Sequence, residues 1–384
     1  MGAQHRPYVG SLGRHGRGGA PSAAPQRTTQ GARASRQAGV GAGREAPPPH
    51  PSAGRVSATG ADSAGTEEGS VRAGRRTVRI HRPRKVLFPG SARSTDGGPT
   101  DGGRTDGGRA DVTKADLVEY YRSVARHMLP ELRGRPLMLE RHPDGLDGPR
   151  FMQKNIPGNY PDWARRAEMA KKGGTVTHPV CDDTATLVFL ADQASVTFHR
   201  WLSRADRPDH PDRLVFDLDP ARDDFEPVRA AALLLRELLD ELALPASAMT
   251  TGSKGLHVIV RLDRRTAFDE VRAFAVDVAR VLAARDPDRL TTEQRTDARA
   301  GRLYLDVQRN AYAQTAVAPY SVRPKEGAPV ATPISWDQVK DPAVTARRWT
   351  VTDVLEQART RPWSDVPARG RSLAPARRRL DALL

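Results

Sequence analysis

The sequence predicts an α+β fold (a two-lobed α/β arrangement), in which helices pack on a sheet. Three segments are predicted to be β-strands: "DRLVFDLDP", "GLHVIVRL" and "GRLYLDVQRN", the last of which alternates Leu303, Leu305 and Val307 with Tyr304 and Asp306. Two long segments between them have the periodicity of amphipathic helices: "FEPVRAAALLLRELLDELAL" and "AFDEVRAFAVDVARVLAARD". Elements that alternate in this way build a single core of helices against a sheet.

The other elements follow in chain order. "RTVRIHRPRKVLFPG" predicts a short strand and a turn, and "TKADLVEYYRSVARHMLPELRG" predicts a helix with Thr113 as its N-cap. Its apolar stripe comprises Leu117, Tyr120, Tyr121, Val124 and Met128. "RPLMLERHPDG" predicts a strand and a turn, and the following segment a helix and a strand that ends near His199. "AMTTGSKGLHVIVRL" predicts a turn that leads into a strand, "GRLYLDVQRN" the last strand, and "PISWDQV" and "TVTDVLEQA" terminal helical pieces.

Composition divides the chain into an ordered domain and flanking segments. Residues 1–75 are rich in Gly, Ala, Pro, Ser and Arg without spaced apolar residues, which predicts disorder. We expect one domain at 77–365, interrupted at 95–111 by three copies of TDGG, which are typical of a flexible loop. Residues 366–384 form a short basic tail.

Charge and cysteine content restrict the class of protein. The 384 residues carry a formal net charge of +15, which is typical of a protein that binds a polyanion, most often nucleic acid. The single cysteine, Cys181, excludes a disulfide framework and a multi-cysteine zinc site. The sequence has neither an apolar signal segment nor an 18-residue apolar run, so we expect a cytoplasmic, nucleoid-associated protein.

Two aspartates, Asp217 and Asp219, end the predicted strand "RLVFDLDP". Side chains alternate along a strand, so both carboxylates share one face with Val215, while Phe216 and Leu218 face the other side. Two close carboxylates repel each other unless a cation neutralises them, and oxygen ligands suit Mg²⁺ or Mn²⁺. The alternative is a solvated strand end.

Two further segments carry residues suited to phosphate and metal chemistry. "TTGSKGLHV" offers Thr251, Ser253 and Lys254 in a turn whose backbone N–H groups can hold an anion, with His257 on the strand behind it. Asp306 lies inside the predicted strand "GRLYLDVQRN", where a carboxylate is costly unless it is paired or metal-bound. The alternatives are an ordinary turn for the first and a salt bridge to an arginine for the second.

Together these segments predict nucleotidyl transfer. Three carboxylates on adjacent strands would hold two divalent ions about 3.5–4 Å apart, which activate a hydroxyl and stabilise a leaving pyrophosphate. The basic charge would supply affinity for the nucleic-acid backbone.

The chain resembles the polymerase domain of bacterial DNA ligase D, in the archaeo-eukaryotic primase superfamily. The resemblance runs from about 77 to 365 and rests on motifs in the family's order: "RKVLFP", "QKNIPGNYPDW", "LVFDLDP", "TGSKGLHV", "LYLDVQRN" and "TAVAPYSVRPKEGAPVATPISWDQV". It implies a primase-polymerase core with a mixed or antiparallel sheet flanked by helices.

The resemblance also implies roles for individual residues. Asp217, Asp219 and Asp306 match the catalytic metal ligands of the family, for two Mn²⁺ or Mg²⁺ ions. The residues that match its nucleotide-binding groups are His199, Thr251, Ser253, Lys254, His257, Arg299 and Arg323. Lys85, Lys114 and Arg82 match basic residues that hold the 5′-phosphate downstream of a DNA break. Phe151 and Met152 match a pair that stacks against the template.

The partners that the resemblance implies are DNA ends and gapped DNA with a 5′-phosphate, NTPs or dNTPs, the end-binding protein Ku, and a separately encoded ATP-dependent DNA ligase. It further implies gap filling in non-homologous end joining, with a preference for ribonucleotides and Mn²⁺.

Three features depart from the family pattern. Lys85 and Lys114 are 29 residues apart instead of about ten, because the TDGG insertion separates them. The 5′-phosphate pocket therefore depends on the insertion bulging outward. Met152 replaces the second of two adjacent phenylalanines, which weakens one stacking surface. No ligase or phosphoesterase segment follows residue 365, which favours a stand-alone polymerase.

Three other functions are less compatible with the sequence. A haloacid-dehalogenase-type phosphohydrolase also has a strand that ends in DxD, but Pro220 and Ala221 follow here where that family has Thr or Val. A replicative primase of the same superfamily is disfavoured by the lack of zinc-binding cysteines and by the two lysines. A non-catalytic DNA-binding module is disfavoured because all three carboxylates are present.

Overall fold

The computed structural model describes residues 68–90, 110–158 and 160–384. The strands of these residues are β1 Glu68–Ala73, β2 Arg76–His81, β3 Val86–Phe88, β4 Val112–Thr113, β5 Leu137–Arg141, β6 Phe151–Gln153, β7 Arg166–Lys171, β8 Gly174–Pro179, β9 Ser195–Trp201, β10 Arg213–Asp219, β11 Ala246–Thr250, β12 Leu256–Arg261, β13 Leu290–Thr291, β14 Leu303–Asp306, β15 Thr315–Val317 and β16 Thr332–Ile334. The α-helices are α1 Lys114–Leu132, α2 Thr184–Asp192, α3 Glu226–Glu241, α4 Phe268–Arg285, α5 Trp336–Lys340, α6 Val354–Arg359 and α7 Leu373–Asp381.

A six-stranded sheet forms the centre of the fold, in the order β13-β14-β10-β12-β11-β16. Strand β13 runs parallel to β14, and the other neighbours are antiparallel. The strand that carries the two aspartates, β10, lies between β12 and β14. A second, antiparallel sheet has the order β15-β9-β5-β6. Two sheets with flanking helices confirm the predicted α+β fold with a mixed or antiparallel sheet.

The two faces of β10 pack against different partners, as the alternation of its residues predicts. Phe216 and Leu218 belong to the main core, together with the buried leucines of α3 and the apolar side of α4. Val215 belongs to a second cluster, with Ile259 of β12 and Val317 of β15. The face that carries Val215 is therefore the one that meets the second sheet.

Helix α1 begins as predicted. Thr113 is its N-cap, and its side chain accepts from the backbone N–H of Asp116, whose carboxylate accepts from the N–H of Thr113 in turn. This reciprocal capping box satisfies two N–H groups that a helix start leaves unpaired. The predicted apolar stripe is buried, and the hydroxyl of Tyr121 donates to the carbonyl of Val196 at 2.6 Å, which ties α1 to β9.

A buried carboxylate, Glu131, joins α1 to three strands. It accepts from Arg200 of β9 at 2.5 Å and from Arg213 of β10 at 3.2 Å, and it pairs with Arg261 of β12 at 3.5 Å. Because a buried charge is costly unless it is paired, these arginines hold both sheets in register with the helix.

The two ends of the TDGG insertion lie next to each other. Strands β3 and β4 pair antiparallel, and the N–H of Gly90 donates to the carboxylate of Asp111 at 2.6 Å. The N–H of Lys114 donates to the carbonyl of Lys85 at 2.8 Å. Residues 91–109, which contain the TDGG copies, lie outside the described residues.

Several elements differ from the sequence-based expectations. Strand β1 lies within the range 1–75 that composition predicts to be disordered, and Val71 and Ala73 are its only apolar residues. Residues 1–67 lie outside the described part of the chain. The first three residues of "AMTT" belong to β11, which is buried along its whole length and therefore lacks alternation. Strands β15 and β16 follow the predicted last strand. The hairpin of β7 and β8 was not predicted.

The predicted basic tail also contains regular structure. Helix α7 buries Leu373, Ala376 and Leu380 and contacts α4. The composition of this segment did not indicate a helix with an apolar side, because arginines predominate in it. Among the described residues, no helix is both long enough and apolar enough to cross a bilayer.

Candidate active site

Three carboxylates meet where β10 and β14 pair. Asp217 lies directly opposite Asp306 in the antiparallel register, and Asp219 lies opposite Tyr304. Directly opposed residues of an antiparallel pair have Cβ atoms about 4.5–5.5 Å apart. The structure therefore brings together all three predicted carboxylates, although Asp306 is the last residue of its strand rather than in mid-strand.

Basic and polar groups engage each carboxylate. Asp217 lies 3.4 Å from Nε2 of His257 and 3.6 Å from Nε of Arg309. Asp219 pairs with Arg299 at 3.4 Å. Asp306 accepts from the N–H of Gln308 at 2.7 Å, and no arginine among the described residues forms an ion pair with it.

The two aspartates of β10 differ in their tendency to ionise. Burial alone would raise the pKa of Asp217, but His257, Arg309 and Arg323 outweigh it and leave this pKa below its usual value. Burial and the charge of Asp217 raise the pKa of Asp219, against the opposing effect of Arg299. A local excess of negative charge therefore remains at this edge of the sheet, where a cation would be stabilised.

The donor set fits divalent metal ions, because it consists of three carboxylates on neighbouring strands. Within residues 68–90, 110–158 and 160–384, no group of three or more His, Cys, Asp or Glu side chains is arranged to hold an ion as they stand. Asp217, Asp219 and Asp306 instead each contact a different donor: His257, Arg299 and the N–H of Gln308.

The loop between β11 and β12 is shaped by Thr251. Its hydroxyl donates to the carbonyl of Gly255 at 3.0 Å and accepts from the N–H groups of Ser253 and Gly255 at 3.3 and 3.2 Å. Lys254 is exposed at the tip of this loop, and Arg323 donates to the carbonyl of Thr251 at 3.0 Å. Lys254 of the loop and Arg323, which contacts the loop, therefore lie beside Asp217 and Asp219.

Gly255 allows the loop to lie against β10. A Cβ at this position would come within 2.1 Å of the carbonyl oxygen of Leu218, the residue between the two aspartates. We expect Gly255→Ala to lower the free energy of unfolding by about 2–4 kcal/mol, as other disruptions of packed backbone do, and to abolish activity by displacing β10. Urea unfolding and the extension assay described below measure the two effects.

The matched control for this substitution is Gly158→Ala, since a Cβ at Gly158 meets no atom within 4 Å and its φ is not positive. We expect less than about 0.5 kcal/mol there. A Gly255→Ala variant as stable and active as Gly158→Ala would contradict the close contact with Leu218.

A histidine from the second sheet faces the same space. His199 of β9 lies 3.7 Å from the carboxylate of Glu140 on β5. Burial lowers the pKa of His199 even though Glu140 opposes this, so we expect a neutral imidazole at pH 7. Burial opposes ionisation of Glu140 as well, yet His199, Arg150 and Arg323 bring its pKa to about 2.

Many of these groups line one cavity of about 200 Å³, although Asp306 and Glu140 are not among its lining residues. It brings together eight of the residues singled out in the sequence: His199, Asp217, Asp219, Thr251, Ser253, Lys254, His257 and Arg323. Arg299 lies beside this cavity, where it contacts Asp219 and stacks on the ring of Tyr304 at 4.3 Å. A single concave site with carboxylates on one side and cations on the other suits a nucleoside triphosphate with its metal ions.

Sequence reasoning missed four residues of this region. Arg309 lines the cavity and is placed by its neighbour Asn310, whose buried amide exchanges hydrogen bonds of 2.9 and 2.7 Å with the backbone of Val215. The carboxylate of Glu140 lies 3.7 Å from Nε2 of His199. Lys325 and Arg347 lie near the Lys254 loop, and Arg347 donates to the carbonyl of Ser253 at 2.7 Å. Glu140 meets His199 through the register of β5 and β9, whereas Arg309, Lys325 and Arg347 lie outside the strands and reach the site through the tertiary fold. The sequence shows neither.

The three residues assigned to a 5′-phosphate lie together despite the insertion. Lys114 is buried and lies 3.7 Å from Asp192, whereas Lys85 pairs with Asp144 at 2.6 Å. Burial is the main cause of the lowered pKa of Lys114, and the nearby charges of Arg82 and Lys85 lower it further. An anion bound between these cations would offset their mutual repulsion.

The two residues assigned to template stacking are exposed. Phe151 and Met152 lie on the edge strand β6 with 44% and 45% of their surface accessible. The guanidinium of Arg141 lies 5.2 Å from the centre of the Phe151 ring. Exposed apolar side chains next to an arginine suit base stacking.

Comparison with known proteins agrees with this geometry. The family model described as "LigD, primase-polymerase domain" matches residues 113–365. The chain is 35% identical over 248 residues to the "Multifunctional non-homologous end joining DNA repair protein LigD" of Mycobacterium tuberculosis, covering 62% of this chain and 32% of that protein. It is 31% identical over 321 residues to the corresponding protein of Pseudomonas aeruginosa, covering 81% and 35%.

A solved structure has a similar fold. It is described as "Polymerase Domain from Mycobacterium tuberculosis Ligase D in complex with DNA", with a TM-score of 0.65 and 31% identity, covering 76% of this chain and 99% of that one. The chain spans about a third of the length of the curated relatives that it matches. Since the family model covers well over half of its residues, the chain belongs to the LigD primase-polymerase domain family.

Proposed function

We propose that the protein is a template-directed nucleotidyltransferase that fills gaps at double-strand breaks in non-homologous end joining. The observation that carries this proposal is the cavity in which Asp217 and Asp219 face the Lys254 loop and Arg323. The family membership supports the polymerase class, and the DNA complex of the similar structure supports DNA as the substrate.

In this proposal the primer 3′-hydroxyl attacks the α-phosphorus of a bound NTP, and pyrophosphate leaves. Lys254 and Arg323 bind the triphosphate, since Arg and Lys donors bind phosphate oxygens. The neutral imidazole of His199 also lines the cavity, where it would hydrogen-bond the nucleotide. These contacts orient the α-phosphate toward the edge that carries Asp217 and Asp219.

Asp217, Asp219 and Asp306 would hold two divalent ions, Mn²⁺ or Mg²⁺, which supply charge stabilisation at the reacting phosphate and lower the pKa of the attacking hydroxyl. His257 keeps Asp217 ionised, because their contact lowers the pKa of that carboxylate. Arg299 holds Asp219 in place from the other side.

The cluster of Arg82, Lys85 and Lys114 would bind the 5′-phosphate at the downstream side of a gap, and Phe151 and Met152 would stack on the template strand. We further propose Ku and a separately encoded ATP-dependent DNA ligase as partners, and a preference for ribonucleotides, on the basis of the family resemblance. The proposed substrate places the activity in the cytoplasm, at the nucleoid.

The test is extension of a labelled primer on a duplex with a short gap, with Mn²⁺ or Mg²⁺ and either rNTPs or dNTPs. Templated addition that stops at the end of the gap supports the proposal. Extension of an unprimed template with equal efficiency would point to a primase instead. DNA binding without any extension would overturn the enzymatic proposal.

The 5′-phosphate cluster gives a separate expectation. We expect a 5′-phosphate on the downstream strand to increase DNA affinity about tenfold or more in the wild type, because one charge-assisted contact contributes about 1.5–3 kcal/mol. In the Lys85→Ala/Lys114→Ala variant this difference should fall below about twofold. Fluorescence anisotropy with phosphorylated and unphosphorylated gapped duplexes measures it.

The control pair is Lys171→Ala/Lys172→Ala, which removes the same charge from the exposed turn between β7 and β8. This control should keep the full phosphate effect. An equal loss in both variants would mean that only net charge matters and would exclude a specific pocket.

A further inference from the structure

A second basic cavity, of about 680 Å³, lies far from the carboxylates. It is lined by residues at the start of β10 and the end of β12, and by the chain segment 368–372. Arg213, at the start of β10, is six residues from Asp219, which corresponds to about 20 Å along a strand. The cavity therefore lies at the opposite end of the central sheet from the candidate active site.

Arginine dominates the lining of this cavity. Seven arginines and two aspartates line it, which leaves a large excess of positive charge. Arg264 and Arg265 have carboxylate partners in Asp206 and Asp263. The excess therefore comes from the arginines around Asp212 and from the 368–372 segment.

Each of the two buried carboxylates near the cavity, Asp212 and Glu131, is shared by several arginines. Asp212 is shared by Arg135 at 2.6 Å, Arg204 at 3.0 Å and Arg213 at 3.4 Å. Glu131 is shared by its own three arginines, as described above. Two buried carboxylates thus form ion pairs with five arginines, and three of these, Arg204, Arg213 and Arg261, also line the cavity.

An excess of buried arginine charge over carboxylate charge destabilises the folded protein. Arg135 is fully buried, and its Nε has no hydrogen-bond partner. Burial, with the charges of Arg213 and Arg200, lowers the pKa of Arg135 in spite of Asp212. Burial likewise lowers the pKa of Arg261. A bound anion would supply the missing negative charge.

The chain beyond the family match completes the cavity. The N–H of Arg371 donates to the carbonyl of Arg261 at 2.8 Å, and the N–H of Asp263 donates to the carbonyl of Arg371 at 3.1 Å. Gly370 makes this close pairing possible, since a Cβ there would lie 2.0 Å from the carbonyl oxygen of Leu262. The pairing fixes Arg369 and Arg371 at the cavity, and in the described part of the chain neither side chain forms an ion pair.

We propose that this cavity is a second anion site, which binds phosphoryl groups through Arg369, Arg371 and the arginines of the β10 and β12 ends. The guanidinium fork matches phosphate oxygens. Arg204, Arg213 and Arg261 are at least partly buried and held by ion pairs, so they lose little entropy on binding, whereas Arg369 and Arg371 are exposed. The proposal goes beyond the polymerase function and stands without it, because binding is measured in the absence of primer and nucleotide.

The first arm of the test uses inorganic tripolyphosphate and isothermal calorimetry. The Lys254→Ala background weakens binding at the triphosphate loop, and the comparison of variants within this background isolates the contribution of the second cavity. In this background we expect Arg369→Ala/Arg371→Ala to weaken tripolyphosphate binding about tenfold or more, since each charge-assisted contact contributes about 1.5–3 kcal/mol.

The control pair is Arg75→Ala/Arg378→Ala, which removes two exposed arginines that do not line the cavity. It should change the affinity by less than about twofold. Thermal unfolding without ligand establishes that all variants are folded. Equal binding by the two double variants, or no binding in the Lys254→Ala background, would overturn the proposal.

The second arm identifies the source of the phosphoryl groups. It measures the affinity for a 20-base-pair duplex at several salt concentrations. If DNA phosphates occupy the cavity, the slope of log Kd against log salt falls by about two in Arg369→Ala/Arg371→Ala, since each lost phosphate contact contributes about 0.9. If the slope equals that of the control while tripolyphosphate binding is lost, the ligand is a free polyphosphate or nucleotide.

Discussion

Asp217→Asn is expected to lower the rate of templated extension by a factor of about 10²–10³. The amide has almost the same shape as the carboxylate, so the strand pairings of β10 remain, but the negative charge disappears. That charge is fully present at neutral pH in the wild type, because the pKa of Asp217 lies below its usual value. Loss of one preorganised electrostatic group at a reacting centre costs about 3–4 kcal/mol, which corresponds to this factor.

The measurement is single-turnover extension on the gapped duplex, with DNA affinity and thermal unfolding recorded for the same samples. Asp337→Asn is the matched control, because Asp337 is an exposed aspartate at the start of α5, away from the cavity. Its rate should equal that of the wild type. Extension by Asp217→Asn within tenfold of the control would exclude a catalytic role for this carboxylate.

Glu131→Gln is expected to lower the free energy of unfolding by about 3–5 kcal/mol at pH 7, the usual cost of removing one partner from a buried ion pair. The substitution leaves Arg200, Arg213 and Arg261 without their shared carboxylate. Burial alone would raise the pKa of Glu131, but the arginines lower it far below its usual value. A carboxylate with a depressed pKa stabilises the fold above its unfolded-state pKa and loses this contribution as pH falls through the folded-state pKa.

Urea unfolding at pH 7 and at successively lower pH measures this effect. The difference between wild type and Glu131→Gln should be full at pH 7 and shrink below about pH 4.3, the ordinary glutamate pKa. Glu119→Gln on the same helix is the control, since Glu119 is exposed and pairs only locally with Arg122 and Ser123. A loss of less than about 1 kcal/mol would bring Glu131 within the range of surface pairs and contradict its role.

The sequence predicted those parts of the site whose residues lie close together in the chain. The alternation of Val215, Asp217 and Asp219 against Phe216 and Leu218 reflects the two faces of one strand, and the structure confirms these faces. The Gly-rich turn around Lys254 is likewise a local feature. In such cases the spacing of a few residues determines which side chains share a surface.

The residues that were missed depend on long-range pairing. Glu140 approaches His199 only because β5 and β9 are antiparallel neighbours, and their register is not encoded in either strand alone. Strand β11 escaped prediction because both of its faces are buried, which removes the alternation. The arginines of the second cavity come from three separate segments, 204–213, 261–265 and 369–371.

The closed base of the TDGG insertion has a consequence for how this protein can change. Because Gly90 and Asp111 are hydrogen-bonded and β3 pairs with β4, the ends of the insertion are held at a fixed separation. For a flexible connection, each doubling of length then costs only about 0.6 kcal/mol in closure entropy. Repeats can be gained or lost here during evolution, and a reporter peptide can be spliced in, while Lys85 and Lys114 keep their contact.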